Sequence, residues 1–144
     1  MKDIILIGGT KAGKTTLLKV LNGEKFKKID VRTQSLEFED QVIDTPGEYI
    51  ENRQYYTALI SAAQEAEIIG LVADATADQY FFPPTFASIF TRPVIGIVTK
   101  IDEPKANIDH AKNILNMAGA DKIFLTSALT GKGITELSDF ISGK

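Results

Sequence analysis

Cysteine is absent from all 144 residues, which removes disulfides and thiolate metal sites from consideration. That absence fits a reducing compartment. An excess of one charge sign is missing too: 16 Lys and Arg stand against 19 Asp and Glu, with a net charge of −3 and no long block of either sign. The basic footprint of a nucleic-acid binder is therefore lacking, and no nucleic-acid partner is expected. No apolar run approaches the ~20 residues that a membrane span needs, so no membrane partner is expected either. With a candidate strand beginning by Asp3, no signal peptide is expected. Histidine is reduced to His110, which falls on an expected surface helix without a dyad partner and reads as solvated. These absences point to a soluble, cytoplasmic protein.

What is present suits one globular domain over residues 1–144: 44% of residues are hydrophobic, and a chain of this length buries about 68–70% of its unfolded surface. Strand and helix patterns alternate. The apolar run 4–7 reads as a strand covered on both faces. Leu17, Val20 and Leu21 then recur at helical spacing, with Gly23 as the end cap. Residues 24–34 read as a loop, 35–39 as an alternating edge strand, and 41–45 as a short strand ending in the Pro46–Gly47 turn. A helix over 53–65, a strand over 68–73 and a short helix after Pro83–Pro84 follow. Next come a strand over 93–99, a helix over 106–118 ending at Gly119, a strand over 122–126 and a helix over 134–142. Such alternation predicts a six-stranded, mainly parallel α/β sheet with about five helices on its two faces. The spacing of 35–39 and 41–45 leaves no room for a crossover helix, so one antiparallel edge strand is expected. The last helix (Ile134, Leu137, Ile141) is expected to pack on the sheet.

The segment Gly8-x4-Gly13-Lys14-Thr15 lies directly after a strand and directly before a helix, the context in which G-x4-G-K-[ST] is a phosphate loop. Glycines let backbone N–H groups, those of Ala12, Gly13 and Thr16 among them, turn inward around phosphate, and the helix N-terminus adds positive potential. Lys14 reaches the β- and γ-phosphates, and the Thr15 hydroxyl is a Mg²⁺ ligand. The loop is expected to hold a nucleoside triphosphate.

Three further segments end strands, where open parallel sheets bind ligands. In Asp44-Thr45-Pro46-Gly47, the carboxylate can hold Mg²⁺ through water and the Gly47 N–H can bind a γ-phosphate. In Thr99-Lys100-Ile101-Asp102, the Asp102 carboxylate can accept two N–H bonds from guanine while the Lys100 stem covers the base. At Ser127-Ala128, a backbone N–H can meet the guanine oxygen. Against adenine, Asp102 would be left unsatisfied, and such sites discriminate by roughly 10⁴–10⁵. GTP and GDP are therefore the expected nucleotides, with Mg²⁺.

This set resembles the Ras-like P-loop GTPases over nearly the whole chain. The resemblance implies that Thr33 is the first switch threonine, closing over Mg²⁺ and the γ-phosphate. The stretches VRTQSLEF, IDTPGEY, RQYYTALI and VTKIDEP resemble, more narrowly, the EutP/PduV family of ethanolamine and propanediol utilisation. That resemblance implies a role in a bacterial microcompartment, ATP binding and an acetate kinase activity. Acetate kinase thus stands as the alternative to a GTPase, and an accessory nucleotide-binding protein with negligible turnover as a third reading.

Many Ras-like proteins carry glutamine where this chain has Glu48, and an anion there repels triphosphate, so slow hydrolysis is expected. Glu48 serves as a general base only with a raised pKa. Lys11 occupies the place where potassium-dependent relatives carry an ion-ligating asparagine, and is read either as a tethered cation near the β–γ bridge or as a solvated lysine. Arg32, before Thr33, either supplies an arginine finger or merely attracts phosphate. Tyr55, Tyr56, Phe81 and Phe82 cannot all face inward, so part of this set is a candidate protein-partner patch next to the switch segments.

Overall fold

The computed structural model describes residues 4–8, 13–21, 42–44, 60–61, 63–64, 66–77 and 82–142. Among these, five strands form one sheet: β1 (Ile4–Gly8), β2 (Val42–Asp44), β3 (Ile68–Asp74), β4 (Val94–Thr99) and β5 (Lys122–Leu125), in the order β2-β1-β3-β4-β5. Every pairing is parallel. The expected edge strand over 35–39 lies outside the described residues. Its antiparallel hairpin therefore remains an expectation.

The apolar runs explain this arrangement. All five β1 residues are buried, as a strand covered on both faces requires. Alternation along that strand divides the core in two. Ile5 and Ile7 face a cluster containing Leu71, Phe86, Ala111 and Leu115, whereas Ile4 and Leu6 face one containing Leu17, Leu18, Leu137 and Ile141. Helices α1 (Lys14–Leu21) and α3 (Ile134–Ser142) cover the second face, and α2 (Ile108–Ala118) covers the first. The final helix packs on the sheet as its apolar stripe predicts.

Several boundaries differ from the sequence reading by a residue or two. The α2 helix begins at Ile108 rather than 106 because the Asn107 side chain caps it, accepting a hydrogen bond from the His110 N–H at 3.1 Å. Strand β3 reaches Asp74, one residue beyond 73, because Asp74 is in register with Thr99. The turn after Pro83–Pro84 is a 3₁₀ helix, Phe86–Ile89. There Phe86 lies 5.7 Å from Phe82 and 5.6 Å from Phe90 between ring centroids. Phe82 is buried in this cluster, which takes it out of any exposed aromatic patch. Tyr55, Tyr56 and Phe81 lie outside the described residues.

Candidate functional site

Parallel pairing brings the carboxyl ends of β1, β2, β3 and β4 to one edge. Register places Gly8, the first residue of the expected phosphate loop, opposite Asp44 on one side and Val72 on the other. Asp44, the last residue of β2, is thus beside Gly8, where that loop is expected to begin. Gly13 has φ +89°, the left-handed conformation in which glycine is unstrained. Its carbonyl accepts the Leu17 N–H at 2.9 Å, which closes the first turn of α1.

Lys14 opens α1 and is 97% buried, with 3% of its surface exposed. Its Nζ donates to the Gly8 carbonyl at 2.9 Å. A buried ammonium requires polar partners, and this bond turns the Lys14 side chain back to the end of β1. The cation is thereby held within the protein rather than extended into solvent.

Beside this loop lies a pocket of about 250 Å³. Gly13, Thr16 and Leu17 line it from the loop and α1; Thr99, Lys100 and Asp102 line it from the end of β4; Thr126 and Ala128 line it from beyond β5. Three segments far apart in sequence therefore share one cavity. A Cβ placed on Gly13 would stand 3.9 Å from Thr99 Oγ1 and 4.0 Å from Lys100 Cε, so the lysine stem reaches the phosphate loop. Asp102 is exposed at the pocket mouth and forms no ion pair among the described residues.

Lys100 itself has φ +62°. For a residue with a side chain this region costs roughly 1–2 kcal/mol, and such strain gathers where function needs a fixed geometry. The Lys100 Nζ pairs with Asp74 Oδ2 at 2.8 Å.

The segment after β5 refines one expectation. Ser127 is buried, and its N–H donates to the Lys132 carbonyl at 2.9 Å while its Oγ accepts the Thr130 N–H at 3.1 Å. Ser127 therefore shapes the turn with its own N–H committed, while Ala128 lines the pocket. The turn depends on Gly133, at φ +76°, where a Cβ would collide with the Leu125 carbonyl oxygen. Gly133→Ala is expected to destabilise the domain by about 2–4 kcal/mol, lowering the thermal midpoint by roughly 5–15 °C in a circular-dichroism melt. Gly131→Ala is the control: its φ is also positive, at +81°, but nothing lies within 4 Å of the added Cβ.

Of the other expected site residues, Lys11, Ala12, Arg32, Thr33, Gly47 and Glu48 lie outside the described residues, whereas Thr15 is placed on the first turn of α1. Pocket residues not singled out by the sequence are Leu17, Glu103, Thr126 and Leu129, together with Asp74 behind Lys100. The signal for Asp74 was its position as the last residue of an apolar strand, at the ligand-binding edge of the sheet. No helix among the described residues is long and apolar enough to cross a membrane.

Comparison with known proteins places this geometry. The family model described as "Ethanolamine utilisation - propanediol utilisation" matches residues 1–143. The propanediol utilization protein PduV of Citrobacter freundii is 43% identical over 100% of this chain and 95% of that protein. The "Probable acetate kinase EutP" of Salmonella typhimurium is 31% identical over 99% of this chain and 90% of its own. Among solved structures, Methanosarcina barkeri Roco2 RocCORdC bound to GDP superimposes with a TM-score of 0.60 at 22% identity. That match covers 97% of this chain and 47% of the longer Roco2 chain, and it shows a shared fold. The chain belongs to the PduV-EutP family of ethanolamine and propanediol utilisation proteins.

Proposed function

We propose that this chain binds GTP and GDP with Mg²⁺ and hydrolyses GTP slowly, in bacterial propanediol or ethanolamine catabolism. The observation that carries the reading is the convergence of Gly13, Asp102 and Ala128 on one pocket beside the buried Lys14. In this reading the Gly8–Gly13 loop and Lys14 hold the phosphates. Asp102 accepts the two N–H groups on one edge of guanine, the Lys100 stem lies along the ring, and the Ala128 N–H donates to the guanine oxygen. A carboxylate there has no matching donors on adenine, which is why guanine is preferred.

The residues that would hold Mg²⁺ are Thr15, Thr33 and Asp44, whose hydroxyl and carboxylate oxygens are the hard donors this ion takes. When bound, the ion neutralises charge on the β- and γ-phosphate oxygens. Gly47 N–H meets the γ-phosphate, Glu48 slows hydrolysis by repulsion, and Lys11 is the cation available to offset it. The segments around Thr33 and Gly47 distinguish the two nucleotide states and supply the surface for a protein partner, including one in a microcompartment.

The second reading, an ATP-dependent acetate kinase, is favoured by the name carried by the EutP relative. One assay separates the readings: pure protein with GTP or ATP, with and without acetate, measuring phosphate and acetyl phosphate. Phosphate released from GTP regardless of acetate is the expected outcome. Acetyl phosphate formed from ATP and not from GTP would overturn it. Tight GDP binding without turnover would leave the accessory-protein reading.

A further inference from the structure

We infer that Asp74 is a positioning residue of the base pocket, acting through Lys100; the inference rests on the guanine-nucleotide reading of that pocket. The observations form a chain of contacts. The Thr76 N–H and Thr76 Oγ1 both donate to Asp74 Oδ1, at 2.8 and 2.7 Å. These two bonds fix the carboxylate plane and turn Oδ2 toward Lys100, whose Nζ donates to it at 2.8 Å. Asp74 is 13% exposed and Lys100 is 40% exposed by side chain, so the carboxylate is the rigid member and the lysine the held one.

Lysine has a flexible four-carbon stem whose tip finds any nearby carboxylate. Asp102 lies two residues further along the same loop and lines the same pocket. Without Asp74, the Lys100 ammonium would be drawn to Asp102 and would occupy the acceptor that guanine needs. With Asp74 in place, the tip is tethered at the end of β3, the stem is laid along the pocket toward Gly13, and Asp102 is left for the ligand. Register secures the tether, because Asp74 is paired with Thr99, the residue before Lys100. Lys100 holds this bridge from a left-handed backbone, at φ +62°.

The test is a double-mutant cycle on Asp74→Asn and Lys100→Met, read by calorimetric titration with GDP and, separately, with inorganic pyrophosphate. Asp74→Asn keeps the size of the side chain and its acceptor for Thr76; Lys100→Met keeps the apolar stem and breaks the same ion pair from the other end. Loss of one charge-assisted hydrogen bond is expected to weaken GDP binding about tenfold in Asp74→Asn, while pyrophosphate binding stays unchanged. In the Lys100→Met background, Asp74→Asn is expected to add nothing further. Unchanged GDP affinity in Asp74→Asn, an equal loss for pyrophosphate, or strict additivity of the two substitutions would overturn the inference. Should Asp74→Asn fail to fold, Asp74→Ser read by the same two titrations decides: a loss for GDP but not for pyrophosphate supports the tether, and wild-type GDP affinity overturns it. Wild-type protein that takes up pyrophosphate but no GDP would instead overturn the guanine-nucleotide reading, and this inference with it.

Discussion

Lys14→Ala is expected to abolish measurable nucleotide binding, for GTP and ATP alike. The wild-type ammonium is buried and already holds one backbone oxygen, Gly8 O, at 2.9 Å. It therefore meets phosphate as a desolvated charge, the condition under which such contacts are strongest. Losing charge-assisted bonds to two phosphates removes about 3–5 kcal/mol, or roughly 10²–10⁴ in affinity. The ligand-free protein should still melt cooperatively, because the two core clusters do not include this side chain. Calorimetric titration with GDP and ADP at a fixed Mg²⁺ concentration measures the effect. Retention of wild-type affinity would remove the phosphate loop from the mechanism.

Asp102→Ala is the second large effect, and it differs in kind. Lys14 is expected to act on every nucleotide; Asp102 is expected to act only on the base. Two charge-assisted hydrogen bonds from guanine are lost, so GDP affinity should fall by about 10²–10³ while ADP affinity stays where it was. Discrimination between the purines would collapse without loss of phosphate binding. Asp102→Asn gives a sharper readout. Its amide offers one acceptor and two donors, which mispairs with the guanine amino group but matches the carbonyl that replaces it in xanthine. A preference moving from GDP toward xanthosine diphosphate is the expected result. A wild type that favours ADP, with Asp102→Ala indifferent, would instead support the acetate kinase reading.

These two residues were legible in the sequence for different reasons. Lys14 sits in a contiguous pattern of strand, glycine loop and helix, where each part specifies the next through local backbone geometry. Asp102 was readable only because it closely follows a strand in a sheet whose parallel order could be inferred, so that the strand's carboxyl end was expected to share an edge with the loop. At Ser127-Ala128 the sequence reading named a backbone N–H without choosing between the two residues. Which of the two amides is committed depends on the Ser127-to-Lys132 turn, and that turn depends on Gly133 lying against the Leu125 carbonyl. Phe82 illustrates the same limit in the core: its partners, Phe86 and Phe90, determine that it is buried.

The amino-acid order by itself determined the parallel α/β plan, the phosphate loop and the family, because apolar runs, glycine spacing and strand ends are local signals. Tertiary structure alone decided that Lys100 is bound to a carboxylate 26 residues away and that three segments close on one pocket of about 250 Å³. The physical reason is register: Asp74 meets Lys100 only because β3 and β4 pair with Asp74 opposite Thr99, and a slip of one residue would turn that carboxylate to the other face of the sheet.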